Sequence, residues 1–160
     1  METLMQLVYL LSFFAVVIAF AFAVYLHLWV KRQPAENKKI LEVSSLIQAG
    51  ANTFIRREYG VLAKFAGVAA ILIFLFLPEP IWNGNIPTHI AMAVSYLAGT
   101  ILSAIAGKIG ILVATSSNSR TAEAAQKGIR SAFLIGFRGG SVMGLAVVGF
   151  SLLGVMAVLM

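Results

Sequence analysis

From Thr3 to Val30 the chain reads TLMQLVYLLSFFAVVIAFAFAVYLHLWV, 28 consecutive residues without a charge. As an α-helix this stretch runs about 42 Å, more than the roughly 30 Å hydrocarbon slab of a bilayer. It reads as a membrane span. It is too long for the apolar part of a cleaved leader, and Glu2 occupies the place where a leader carries its base. Tyr25, His27 and Trp29, followed by Lys31 and Arg32, supply the aromatic and basic belt that closes a span at an interface.

The rest of the chain agrees with that beginning. Of 160 residues, 60% are hydrophobic and 11% charged, and the mean hydropathy is +0.93, which excludes an ordinary soluble domain. There is no cysteine, so disulfides, thiolate metal sites and cysteine nucleophiles are excluded. All six acids are glutamates, a poor supply for a carboxylate-held metal cluster. The net charge of +6, set among long apolar runs, points to anionic lipid headgroups and a lipid bilayer as partner rather than nucleic acid.

Three more spans follow, giving an all-α, polytopic transmembrane bundle treated as a single domain. The expected spans are residues 3–30, 61–77, 90–115 and 139–160. The second counts Lys64 as snorkelling and is ended by Pro78 and Pro80. Residues 78–89, with Asn83-Gly84, Pro87 and Trp82, read as a turn-rich loop at the membrane surface. In the connection 31–60, Ile40, Val43, Ile47, Ala51 and Phe54 recur at three- and four-residue steps. An amphipathic helix over 36–59 is expected, breaking at Gly50 or Gly60 if it does not run on into the second span. In the connection 116–138, Asn118 or Ser119 is expected to cap a short helix 120–127 that stops at Gly128.

The charges orient the bundle. Lys31, Arg32, Lys38, Lys39, Arg56, Arg57 and Lys64 fall around the first connection. The other five bases, Lys108, Arg120, Lys127, Arg130 and Arg138, fall around the second. By the positive-inside rule both connections are cytoplasmic, and the termini and the loop 78–89 face outward.

Ser95, Gly99, Ser103 and Gly107 on the third span, and Gly136, Gly140 and Gly144 on the fourth, repeat every fourth residue. Small residues at that spacing let helices approach closely in lipid, so these seven positions are read as helix-packing residues. His27 and His89 stand near membrane edges without a second ligand at metal spacing and read as interface anchors. Glu58, beside Arg56 and Arg57, reads as part of an interfacial ion pair. Lys108 and Arg138 read as snorkelling bases, or as groups serving helices outside this chain. No catalytic, cofactor-binding or metal-ligating residue is assigned.

Three blocks in order are more specific than any glycine pattern. Ile47 to Tyr59 spells I-x-x-G-A-x-x-F-x-x-x-E-Y, Gly107 to Ala125 reads GKIGILVATSSNSRTAEAA, and Ala132 to Leu145 reads AFLIGFRGGSVMGL. Together they resemble the amino-terminal part of the membrane-bound, ion-pumping inorganic pyrophosphatases, from about Leu41 to the end. The resemblance implies a larger polytopic pump, usually a homodimer, that hydrolyses pyrophosphate with Mg2+, in some members with K+, and moves protons or sodium ions outward. It places the first four helices in an outer ring, as scaffold. Substrate and metal are held by later helices with D-x-x-x-D motifs, for which this chain has no aspartate. The chain stops within an apolar run, so a segment of a longer protein is expected, joined to the remaining helices of the parent chain and inactive alone. The alternative is a complete small four-helix membrane protein acting as an assembly partner or small transporter.

Overall fold

A computed structural model describes residues 2–77, 82 and 85–159. Four helices account for almost all of them: α1 (Glu2–Lys31), α2 (Lys38–Phe76), α3 (Ile86–Ala125) and α4 (Ile129–Leu159). Each is long and apolar enough to cross a membrane. The expected turn at Pro78, Pro80, Asn83 and Gly84 lies outside the described residues.

Helix α1 ends where Gln33 turns its side-chain amide back to the Trp29 carbonyl at 3.2 Å. Asn37 then starts α2, its Oδ1 accepting from the backbone N–H of Lys39 (3.1 Å) and Ile40 (3.4 Å). The helix runs 39 residues without a break. Gly50 and Gly60 do not interrupt it, because an interior glycine costs only about 1 kcal/mol against alanine and leaves its hydrogen-bond ladder intact. The amphipathic segment is thus the first half of α2. Leu77 ends α2 in an extended conformation (φ −118°, ψ 142°), which the residue before a proline favours.

Helix α3 begins with Pro87 in its first turn, where a missing N–H costs nothing. It continues for 40 residues to Ala125, so the separate helix expected at 120–127 is simply its last turns. The hydroxyls explain why the polar run does not break. Thr115 donates to the Ile111 carbonyl (2.9 Å) and Ser117 to the Val113 carbonyl (2.8 Å), so these hydroxyls are satisfied within the helix and do not compete with it by bonding backbone in a turn. Asn118 and Ser119 therefore sit inside a helix and cap nothing. Gly128, at φ 133°, makes the turn into α4, as the sequence requires.

The bundle is a row rather than a square. Among the described residues α2 packs only on α3, α3 packs on α4, and α1 packs on α4 and more lightly on α3. The three main pairs run antiparallel, as the contacts Phe20–Phe150 and Trp29–Arg138 show for α1 and α4, while the lighter α1–α3 contact is between parallel helices. The buried side chains are few. Ala23, Leu26, Val113 and Val142 form one cluster, and Val30, Ala124 and Ile135 another toward the basic end. Most large apolar side chains remain exposed, which suits contact with lipid or further helices.

Candidate functional site

The polar contacts that join separate helices concentrate at the end of the bundle where α1 and α3 finish and α2 and α4 begin. Two side chains three residues apart on α3 reach the first connection from above. Arg120 donates through Nη2 to the Lys31 carbonyl (3.3 Å), the C-terminus of α1, while its Nη1 bonds the Ser116 carbonyl (2.7 Å) and hydroxyl (3.1 Å). Glu123 accepts from the backbone N–H of Glu36 (2.6 Å) and Asn37 (3.3 Å), just ahead of α2. A cation meets the negative end of one helix dipole and an anion the positive end of the next. On α4, the Arg138 guanidinium lies 3.9 Å from the centroid of the Trp29 ring, a cation–π contact to α1. Arg138 therefore serves a helix of this chain rather than only reaching for headgroups, whereas Lys108 is exposed. Glu123 was missed by residue spacing because its partners are backbone groups, which carry no signature in side-chain patterns.

Deeper in the bundle, the Tyr59 hydroxyl donates to the Ala104 carbonyl at 2.7 Å and ties α2 to α3. It enters over Gly107, where an added Cβ would stand 3.1 Å from the hydroxyl. Tyr59 and Gly107 each belong to one of the three sequence blocks, and the fold brings them together.

The seven small residues divide. Gly107 faces Tyr59, and Gly136 is in ordinary contact with Thr121. Added side-chain carbons at Gly99, Gly140 and Gly144 would meet nothing within 4 Å. Ser95, Gly99, Ser103 and Gly107 line an open groove of about 760 Å³ whose other wall includes Met143, Phe150 and Gly154 of α4. The tight approaches lie elsewhere: a Cβ at Gly139 would stand 2.8 Å from that of Ser117, and one at Gly110 2.7 Å from the Met143 sulfur.

His89 is not an interface anchor. It is completely buried in the first turn of α3, edge-on to Phe74 with ring centroids 6.3 Å apart, and among the described residues neither ring nitrogen has a hydrogen-bond partner. Pro87 fixes the first turn of α3 two residues earlier, where α3 lies against the end of α2. Glu58 is exposed and, among the described residues, forms no ion pair with Arg56 or Arg57. Adjacent and next-adjacent residues on a helix point apart, so sequence proximity does not make a pair.

A magnesium site does not fit these residues. Among the described residues no three His, Asp or Glu side chains converge, and the Glu123 carboxylate is engaged by two backbone N–H groups. Divalent magnesium needs several converging oxygen ligands.

The fold and this arrangement define a multi-spanning helical membrane protein. The sequence profile of a family described as inorganic H+ pyrophosphatase matches residues 17–160, and the chain belongs to that family. It is 36% identical over 137 residues to a K(+)-insensitive pyrophosphate-energized proton pump of Methanosarcina mazei, covering 86% of this chain and 19% of the relative. It is 38% identical over 150 residues to a K(+)-stimulated pyrophosphate-energized sodium pump of Thermotoga maritima, covering 92% of this chain and 19% of the relative. A pyrophosphate-energized membrane proton pump of Arabidopsis thaliana is 32% identical over 152 residues, 89% of this chain and 19% of the relative. The chain thus spans about a fifth of the length of the curated relatives it matches.

Proposed function

We propose that residues 1–160 form a scaffold within a membrane pyrophosphatase that couples hydrolysis of pyrophosphate to outward transport of protons or sodium ions. The observation that carries this reading is the family match over 17–160, reinforced by the roles of its three sequence blocks. Tyr59 of the first block ties α2 to α3 over Gly107. Arg120 and Glu123 of the second hold the α1–α2 connection, and Arg138 of the third holds α1. These residues fix the relative positions of helices and leave hydrolysis, with its Mg2+ and in some members K+, to residues elsewhere in the pump. The small stripe Ser95, Gly99, Ser103 with Gly140 and Gly144, open in this chain, is read as a packing surface for helices outside residues 1–160. The pump is read as a homodimer.

The clasped end, rich in Lys and Arg, is assigned to the cytoplasm, with the termini and the link between α2 and α3 outside. Single cysteines at Asn85 and Asn118 test this with a membrane-impermeant label; reaction of both from one side sinks it. The activity is tested with the full-length polypeptide carrying this sequence, in sealed vesicles with magnesium. Hydrolysis of pyrophosphate with ion uptake is expected, and hydrolysis is expected to be absent for residues 1–160 alone. Turnover by the short chain, free of soluble pyrophosphatase, would overturn the scaffold assignment.

A further inference from the structure

Six bases stand at the helix ends of the clasped side. Lys31 closes α1 and Arg32 follows it, Lys38 and Lys39 open α2, Lys127 lies just past α3, and Arg130 is in the first turn of α4. All six are exposed, and among the described residues none of their side chains forms a hydrogen bond or ion pair. The clasp makes them one patch. Arg120 holds the end of α1 and Glu123 the start of α2 against the last turns of α3, which turns at Gly128 into α4. Two exposed acids without partners, Glu36 and Glu42, share this side, so positive charge remains in excess among its unpaired groups.

A membrane helix meets lipid and other helices with its sides and water with its ends. The four helices have 30, 39, 40 and 31 residues, roughly 45–60 Å, against a hydrocarbon slab of roughly 30 Å, so they are long enough for charged ends to stand in water. Anionic headgroups and pyrophosphate offer the same phosphate oxygens to a base. Headgroups, however, surround the sides of a bundle, whereas these six bases crown its end. The relatives are named for pyrophosphate as their energy source, and pyrophosphate stays an anion when it carries magnesium. Unpaired charges of one sign raise the local concentration of an opposite ion, and its rate of arrival, without gripping it.

We propose that these six bases form a collecting surface for pyrophosphate. Their summed field draws the anion to the clasped side and speeds its delivery to the residues outside 1–160 that hydrolyse it. The surface holds the substrate in no fixed pose, so its effect follows total charge and not the identity of any one base. The proposal rests on the pump reading above and on the side assigned there to the clasped end.

The test uses the full-length polypeptide carrying this sequence, in neutral detergent with and without added anionic lipid, and reads kcat and kcat/KM for pyrophosphate hydrolysis. It is run at an ionic strength of about 0.01 M, where charges are felt over about 30 Å, and at about 1 M, where they are felt over about 3 Å. Lys38→Gln, Lys39→Gln and Lys127→Gln combined are expected to lower kcat/KM about three- to tenfold at low salt with kcat unchanged, and the fall is expected to vanish at high salt. Glu42→Gln, which removes an acid from the same side, is expected to raise kcat/KM about twofold at low salt. This opposite change keeps the proposal falsifiable if the combined variant fails to fold. Indifference of kcat/KM at low salt, a fall that persists at high salt, or a fall traced to one lysine alone would overturn the collecting surface. An effect seen only with anionic lipid present would also overturn it and give the bases to headgroups. No hydrolysis by the unaltered polypeptide sinks the pump reading and this proposal with it, whereas hydrolysis indifferent to these charges removes the collecting surface only.

Discussion

The Glu123 carboxylate accepts the backbone N–H of Glu36 at 2.6 Å, so one acid of the chain holds another by its main chain. With Arg120 on the Lys31 carbonyl, a single helical turn of α3 grips both ends of the connection between α1 and α2. Glu123→Ala is expected to destabilise the bundle by about 1 kcal/mol, and Glu123→Gln by less, because the amide oxygen still accepts. Amide exchange at Glu36 and Asn37 should quicken in both variants. Unchanged protection there would show that the contact is idle.

Tyr59→Phe removes the hydroxyl that reaches Ala104, at an expected cost of about 1 kcal/mol. Gly107→Ala pushes on the same hydroxyl from the other side. The two together should therefore cost less than their sum in thermal unfolding in detergent; strict additivity argues that they do not share a contact.

Trp29→Leu and Arg138→Gln each remove one half of the cation–π pair. A double-mutant cycle is expected to give a coupling of about 0.5–1 kcal/mol. A coupling near zero would leave Arg138 as a headgroup contact only.

Gly139→Leu is expected to loosen the α3–α4 pair strongly, since even one added carbon meets Ser117, while Gly140→Leu in the same short chain should be mild. Detergent melting of the two variants ranks them. The reverse order would place the α3–α4 contact on the wrong face.

The four long apolar helices were legible because runs such as Thr3 to Val30 exclude charge, and the turn at Gly128 because a positive φ selects glycine. The α2 segment runs straight on, one of the two courses the sequence allowed, and the separate helix at 120–127 does not form, for a common reason. Gly50, Gly60, Asn118 and Ser119 are weak local signals, and a long continuous hydrogen-bond ladder outweighs them. The burial of His89 was hidden because it depends on where Phe74 of another helix lands. The small-residue repeat marked a groove wall but not the points of closest approach, which Gly110 and Gly139 set through single side chains opposite them. Spacing along one helix cannot report what stands across from it.

The clasp also has a chronology. Glu36 and Glu123 are 87 positions apart. At roughly 5–20 residues per second of synthesis, the donor exists for roughly 4–17 s before its acceptor is made. Asn37 meanwhile caps α2 from within its own turn, so the newborn helix start is held locally and needs no distant help. The first connection can thus settle on its own schedule, and the end of α3, made later, latches a loop already in place.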